Sequence, residues 1–347
     1  MPDKFAQKLP HGGDLQDATA VFGKPKNPWQ DLSTGISPWG YPAANIPAFV
    51  WRDLPSANGP LCHSAAQYYQ TLSEFIVPVP GSQFAISQLP SLVAPATVAL
   101  PTIGYAEHAR AWQLAGHTMV QYQSIGQLCA LAEQGHLSHA VIISPNNPTG
   151  ELCPLETIEF LHRTLPGVVV LDEAFIDALA KPSAAVWLAQ LPRLCVLRSV
   201  GKFFGLAGIR LGFLLNSGEF AQRLRQKLPP WSVNHPAQWL GARALQDSTW
   251  QLAQSLRIRA AEQQLIALFK GFVGTNCTLA SGGLFVTLRG PWPYLMALYQ
   301  GLAKQGIYTR WCHWPAPTVA GTDAWLRVGL ACDGGARLRQ ALTTINL

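Results

Sequence analysis

Lys202 stands in Ser199-Val200-Gly201-Lys202, a glycine-containing turn after the apolar run Leu194–Leu197. A cation there is costly to bury. A partly desolvated lysine with a depressed pKa can form a Schiff base with an aldehyde. A loop lysine at the surface would explain Lys202 taken alone, so its neighbours decide. Arg210 follows eight residues later in Gly208-Ile209-Arg210-Leu211-Gly212, inside a run read as an apolar strand. A cation so placed calls for a fixed anion. Ser199 and Arg210 could hold a phosphate from two sides of the lysine. Asp172 directly follows the run GVVVL. Its carboxylate could keep a ring nitrogen protonated, which makes a pyridine an electron sink. Asn147, in SPNNPTG, could donate to a phenolate oxygen, although Asn, Pro and Gly also make simple turns. Gly81-Ser82-Gln83 follows FIVPVP, and a helix beginning there would offer backbone N–H groups to a phosphate.

These residues need rigid elements behind them. Ala140–Ser144, Gly167–Leu171, Leu194–Leu197 and Ile209–Leu215 are short, uniformly apolar runs, with a helical stretch from Leu155 to Leu165 among them. Such runs belong to a sheet covered on both faces. The polar groups follow the runs directly, at the carboxyl edge where open α/β sheets bind ligands. After Asn234 a long helical stretch from Pro236 to Phe269 precedes the strand Gly282–Leu288 and a helix near Tyr294–Gln305. This predicts a large α/β domain over 46–234. A smaller α+β domain is expected from 1–45 and 235–347.

Bulk properties exclude several alternatives. Of 347 residues 48% are hydrophobic and 13% charged, which is globular rather than disordered composition. No apolar run reaches the roughly 18 residues of a membrane span, and the first thirty residues lack a signal-peptide pattern. A cytoplasmic protein is expected. The seven cysteines include no C-x-x-C pair, and no metal site is expected. Net charge is +6, but the nine lysines and sixteen arginines form no run. Dispersed arginines suit phosphate and carboxylate pockets rather than nucleic acid. No nucleotide-binding glycine motif occurs.

The ordered set SPNNPTG, LDEAFID, SVGKFFGLAGIRLG and LRVGL resembles the class I/II aminotransferase family of pyridoxal-phosphate enzymes. The resemblance implies the aspartate-aminotransferase-like fold and a homodimer. His11-Gly12-Gly13-Asp14, Asp31–Pro38 and the DEAFID form are similar to the threonine-phosphate decarboxylase branch of cobalamin biosynthesis. The implied roles are Lys202 for the Schiff base, Asp172 for the ring nitrogen, Asn147 for the phenolate oxygen and Tyr105 for stacking. Gly81, Ser82, Gln83, Ser199 and Arg210 would hold the cofactor phosphate. Arg327 would bind the substrate carboxylate. Arg310, with His11 and Gly12, would bind the phosphate of a phosphorylated amino acid, and Ser37 lies on the substrate side. Three positions depart from the pattern: Phe175 and Leu54 replace tyrosines, and Ser37 replaces an asparagine. A histidinol-phosphate-type aminotransferase is the second reading. A catalytically silent protein of the same fold is the third.

Overall fold

The computed structural model describes residues 11–43, 45–56, 59–312 and 323–345. Its strands in chain order are β1 Gln30–Asp31, β2 Ile76–Val79, β3 Thr97–Pro101, β4 Thr118–Tyr122, β5 His139–Ile143, β6 Val169–Asp172 and β7 Leu194–Ser199. They continue with β8 Gly212–Leu215, β9 Thr278–Ser281, β10 Phe285–Pro291, β11 Ile307–Tyr308, β12 Arg310–Trp311 and β13 Asp323–Gly329. Two compact units form. The larger comprises Gly40–Asn147 and Glu151–Leu252; the smaller comprises the chain up to Trp39, Pro148–Gly150, and the chain from Ala253 onward.

The larger unit is built on a seven-stranded sheet of order β2-β8-β7-β6-β5-β3-β4. Strands β3 to β7 pair in parallel, while β8 runs antiparallel to both β2 and β7. The central strands are buried along their whole length, as the uninterrupted apolar runs require. One face packs Val170, Cys195, Leu197 and Leu214 against Trp112, Ala85 and Leu224. The last two lie in α4 (Ser82–Gln88) and α8 (Glu219–Lys227), and Trp112 lies in α5 (Ala106–Leu114). Before them in the chain come α1 (Leu15–Phe22), α2 (Ala48–Arg52) and α3 (Leu61–Tyr69).

The smaller unit carries an antiparallel sheet of order β12-β13-β10-β9 and a short parallel pair, β1 with β11.

Two expectations change in detail. The strand expected from Ile209 begins at Gly212. Ala207–Ile209 forms a 3-10 turn, and Arg210 takes a left-handed conformation with φ 56°. Arg210 is therefore in the turn before the strand, not inside it. The stretch expected as one helix divides into α9 (His235–Gln246) and α10 (Ser248–Val273). Asp247 ends one and caps the next, its Oδ1 accepting from Trp250 N–H at 3.0 Å. Because α9 packs on α3, the larger unit runs to Leu252 rather than to residue 234.

Candidate active site

In the larger unit, chain direction gathers the chemistry at one sheet edge. Tyr105 follows β3, Asn147 follows β5, Asp172 ends β6, and Ser199 ends β7 three residues before Lys202. These strands are neighbours in the order β3-β5-β6-β7. Strand β8 is reversed, so its amino end, preceded by Arg210, lies at the same edge. Strand β2 is reversed again, so Gly81-Ser82-Gln83 also follow a carboxyl end there. The edge expected from alternating apolar runs and polar residues is thus one continuous row.

Asp172 is 5% exposed. Its Oδ1 accepts from Ala174 N–H at 3.0 Å, and its Oδ2 lies 3.0 Å from His108 Nε2. His108 is 2% exposed and sits on α5, with its ring edge-on to Tyr105 at 6.3 Å. The sequence reading gave His108 no role. The i, i+3 spacing from Tyr105 was the available signal, since it places both on one side of the first helical turn. Tyr105 donates its hydroxyl to Gln83 Oε1 at 2.9 Å, and Gln83 Nε2 donates to Glu107 at 3.2 Å. Lys202 Nζ lies 5.1 Å from the Phe175 ring centroid, within cation–π range. Ser199 Oγ accepts from Gly201 N–H at 3.2 Å and fixes the lysine turn. Asn146 ties its loop down by donating to Ile103 O at 2.8 Å, which leaves Asn147 at the edge itself.

The phosphate cradle has a measurable shape. A Cβ on Gly81 would stand 2.5 Å from Arg210 Nη2, and Gly81 has φ 77°. One on Gly212 would stand 2.4 Å from Ser82 N. Only glycine admits the guanidinium and the strand this close to the start of α4, which has no side-chain cap. A phosphate fits between such a helix start and an arginine held in a left-handed turn. Lys202 for an aldehyde and Asp172 for a ring nitrogen complete a donor set that fits pyridoxal phosphate.

The smaller unit holds a second constellation. Arg310 and Arg327 are directly paired across β12 and β13, on the same side of the sheet. Arg327 is 4% exposed, and burial, with Arg310 nearby, pushes its guanidinium below the usual range. Its Nη2 donates to Ser33 O, and its guanidinium lies 5.3 Å from the Phe285 ring. Asp31 Oδ1 accepts from both Ser33 N (2.8 Å) and Ser33 Oγ (2.5 Å). Gly13 N donates to Ser33 Oγ at 2.8 Å, and a Cβ on Gly12 would collide with Ser33 O at 2.5 Å. The motif His11-Gly12-Gly13 is therefore laid against the residue that carries Arg327. Gly12 and Gly13 thus approach the residue that Arg327 binds, and Arg310 stands opposite Arg327. Ser37 is different: its hydroxyl donates to Trp39 O at 3.1 Å and accepts from Gln254 Nε2 at 2.6 Å. That hydroxyl holds its own turn. Among the described residues no group of three or more His, Cys, Asp or Glu side chains could hold a metal.

The profile of the family "Aminotransferase class I and II" matches residues 58–345. Threonine-phosphate decarboxylase of Pseudomonas aeruginosa is 37% identical over 334 residues, covering 95% of this chain and 96% of that protein. Histidinol-phosphate aminotransferase 1 of Dechloromonas aromatica is 35% identical over 208 residues, covering 58% of this chain and 55% of that protein. The crystal structure of histidinol-phosphate aminotransferase from Sinorhizobium meliloti, in complex with pyridoxal-5'-phosphate, superposes with a TM-score of 0.77 at 20% identity. It covers 99% of this chain and 95% of that one. With lysine, aspartate, asparagine and arginine aligned along one sheet edge, the chain belongs to the class I and II aminotransferase family.

Proposed function

We propose that the protein is a pyridoxal-phosphate enzyme that decarboxylates L-threonine O-3-phosphate to (R)-1-amino-2-propanol O-2-phosphate and CO₂, a step of cobalamin biosynthesis. The observation that carries the choice of substrate is the Arg310–Arg327 pair. Two arginines facing each other on adjacent strands repel, and one of them is buried. Two guanidinium groups set side by side suit a ligand with two anionic groups. Nearly full-length similarity to a threonine-phosphate decarboxylase, against partial similarity to a histidinol-phosphate aminotransferase, supports this substrate over the second.

Pyridoxal phosphate, when bound, supplies an aldehyde that condenses with an amine and a ring that accepts the electrons of the bond broken at Cα. Ser82, Gln83, Ser199 and Arg210 would hold its phosphate. Asp172, oriented by Ala174 N–H and His108, would keep the proton on the ring nitrogen. Asn147 would hydrogen-bond the phenolate oxygen, and Tyr105 would pack against the ring. Arg327 takes the substrate carboxylate, and Arg310, with the His11-Gly12 segment, takes its phosphate. Fixing both anions sets rotation about the Cα–N bond and thereby which Cα bond breaks. The carboxylate carbon leaves as CO₂, and Lys202 delivers the proton that replaces it at Cα.

We also place the enzyme in the cytoplasm as a homodimer. Phe49, Trp51, Leu54 and Trp231 are 47–66% exposed. The stretch 49–54 is tied to His235, which meets the Phe49 ring at 6.0 Å and Asp53 O at 2.9 Å. Large apolar groups exposed together suit a subunit contact. No described helix is long and apolar enough to cross a membrane.

Incubation with threonine phosphate and no keto acid is the test. Release of CO₂ with a product of the mass of aminopropanol phosphate is expected. Strict dependence on a keto acid would assign the aminotransferase reaction instead.

A further inference from the structure

Arg198 is the most deeply buried cation of the larger unit that the chemistry above does not use. Its side chain is 3% exposed, as is that of Glu173; the Asp177 side chain is 7% exposed. Arg198 Nη1 donates to Glu173 Oε2 at 2.8 Å, and Nη2 donates to Asp177 Oδ1. Ser183 Oγ and Ala184 N–H (3.0 Å) complete Glu173. The guanidinium lies 4.5 Å from the Tyr69 ring centroid. Burial raises both carboxyl groups, and Arg198 draws them back.

The position of this cluster is what gives it consequence. Side chains alternate between the faces of a strand. On β6 and β7 the cofactor face takes Val170, Asp172, Cys195, Leu197 and Ser199, the apolar members packing in one core. Glu173 and Arg198 are the next residues after Asp172 and before Ser199, so they leave by the opposite face. The ion pair clamps two strand ends beside the residues that would hold the ring nitrogen and the phosphate. Asp177 adds a third point. Phe175, whose ring lies under Lys202 Nζ, stands midway between the two clamped acids.

We infer that the Glu173–Arg198–Asp177 cluster is a positioning device, which sets Asp172 and Phe175 against the Ser199–Lys202 turn. The inference rests on the cofactor reading above but not on the substrate. Replacing a buried ion cluster whole is often neutral for stability, whereas removing one member is strongly destabilising. Stability and positioning can therefore be separated. The experiment compares Arg198→Met, Arg198→Lys and the triple variant Glu173→Gln/Asp177→Asn/Arg198→Met with the wild-type chain. Each is measured for melting temperature as apoprotein, for the absorbance-monitored rate of pyridoxal-phosphate capture, and for borohydride trapping mapped to Lys202.

Arg198→Met should melt about 5–10 °C lower and capture the cofactor about tenfold more slowly. Arg198→Lys should recover part of both. The triple variant should regain most of the melting temperature while capture stays slow. Capture that recovers together with melting temperature, or that is unchanged in Arg198→Met, would mean that the cluster only stabilises the fold and would overturn the inference. A wild-type chain that captures no cofactor would overturn both this and the cofactor reading. If the wild-type chain captures cofactor but releases no CO₂ from threonine phosphate, the proposed substrate falls and the capture rates still judge the cluster.

Discussion

The two units treat their arginines differently. In the larger unit Arg198 is enclosed by Glu173 and Asp177, and Asp172 by His108 and a backbone N–H. In the smaller unit Arg310 faces Arg327, whose Nη2 donates to Ser33 O. A charge matched inside the chain holds backbone in place. Two arginines facing each other across adjacent strands suit an anionic ligand. Under the proposed function, the first kind of group arranges the chemistry and the second selects what enters it.

The largest effect should come from the residue that carries the chemistry. Lys202→Ala should lower kcat by about 10⁴-fold or more and abolish borohydride trapping, since it removes both nucleophile and proton donor. Next come the facing arginines. Arg310→Ala should raise KM for threonine phosphate by about 10²-fold, as expected for a lost charge-assisted phosphate contact. Cofactor affinity, measured by fluorescence titration, should stay near the wild-type value. Loss of cofactor instead would move Arg310 to the other side of the comparison.

The smallest effect lies far from the chemistry, at the amino end of β5. His139 Nδ1 accepts from Val168 N–H at 3.0 Å, and burial pushes the imidazole down to about 4. The unfolded chain binds its proton near pH 6.5. His139 therefore contributes full stability above pH 6.5, and that contribution is lost as pH falls from 6.5 towards 4. The loss amounts to about 2–3 kcal/mol. Urea unfolding across this range should show the slope, and His139→Gln should flatten it.

What could be read from the sequence follows the range of each interaction. The placement of Lys202, Asp172, Asn147 and Arg210 at one sheet edge was legible because each lies at or within a few residues of an apolar strand, and strand polarity then places them. Arg310, Arg327 and the His11-Gly12 segment were proposed through resemblance alone. His108 with Asp172 was not, since the pair is separated by 64 residues and neither motif names the other. Arg198 escaped notice because it interrupts an apolar run only one residue from its end. The turn at Arg210 was misread for the opposite reason. The glycines around it look like strand punctuation, whereas the chain makes a 3-10 turn and a left-handed step at Arg210 before the strand begins.

The most direct test of the account is a turnover experiment with [1-¹³C]threonine phosphate in D₂O, without keto acid. The account predicts one ¹³CO₂ per aminopropanol phosphate and one solvent deuterium at the former Cα. A keto product, or a product that retains the ¹³C label, would contradict it.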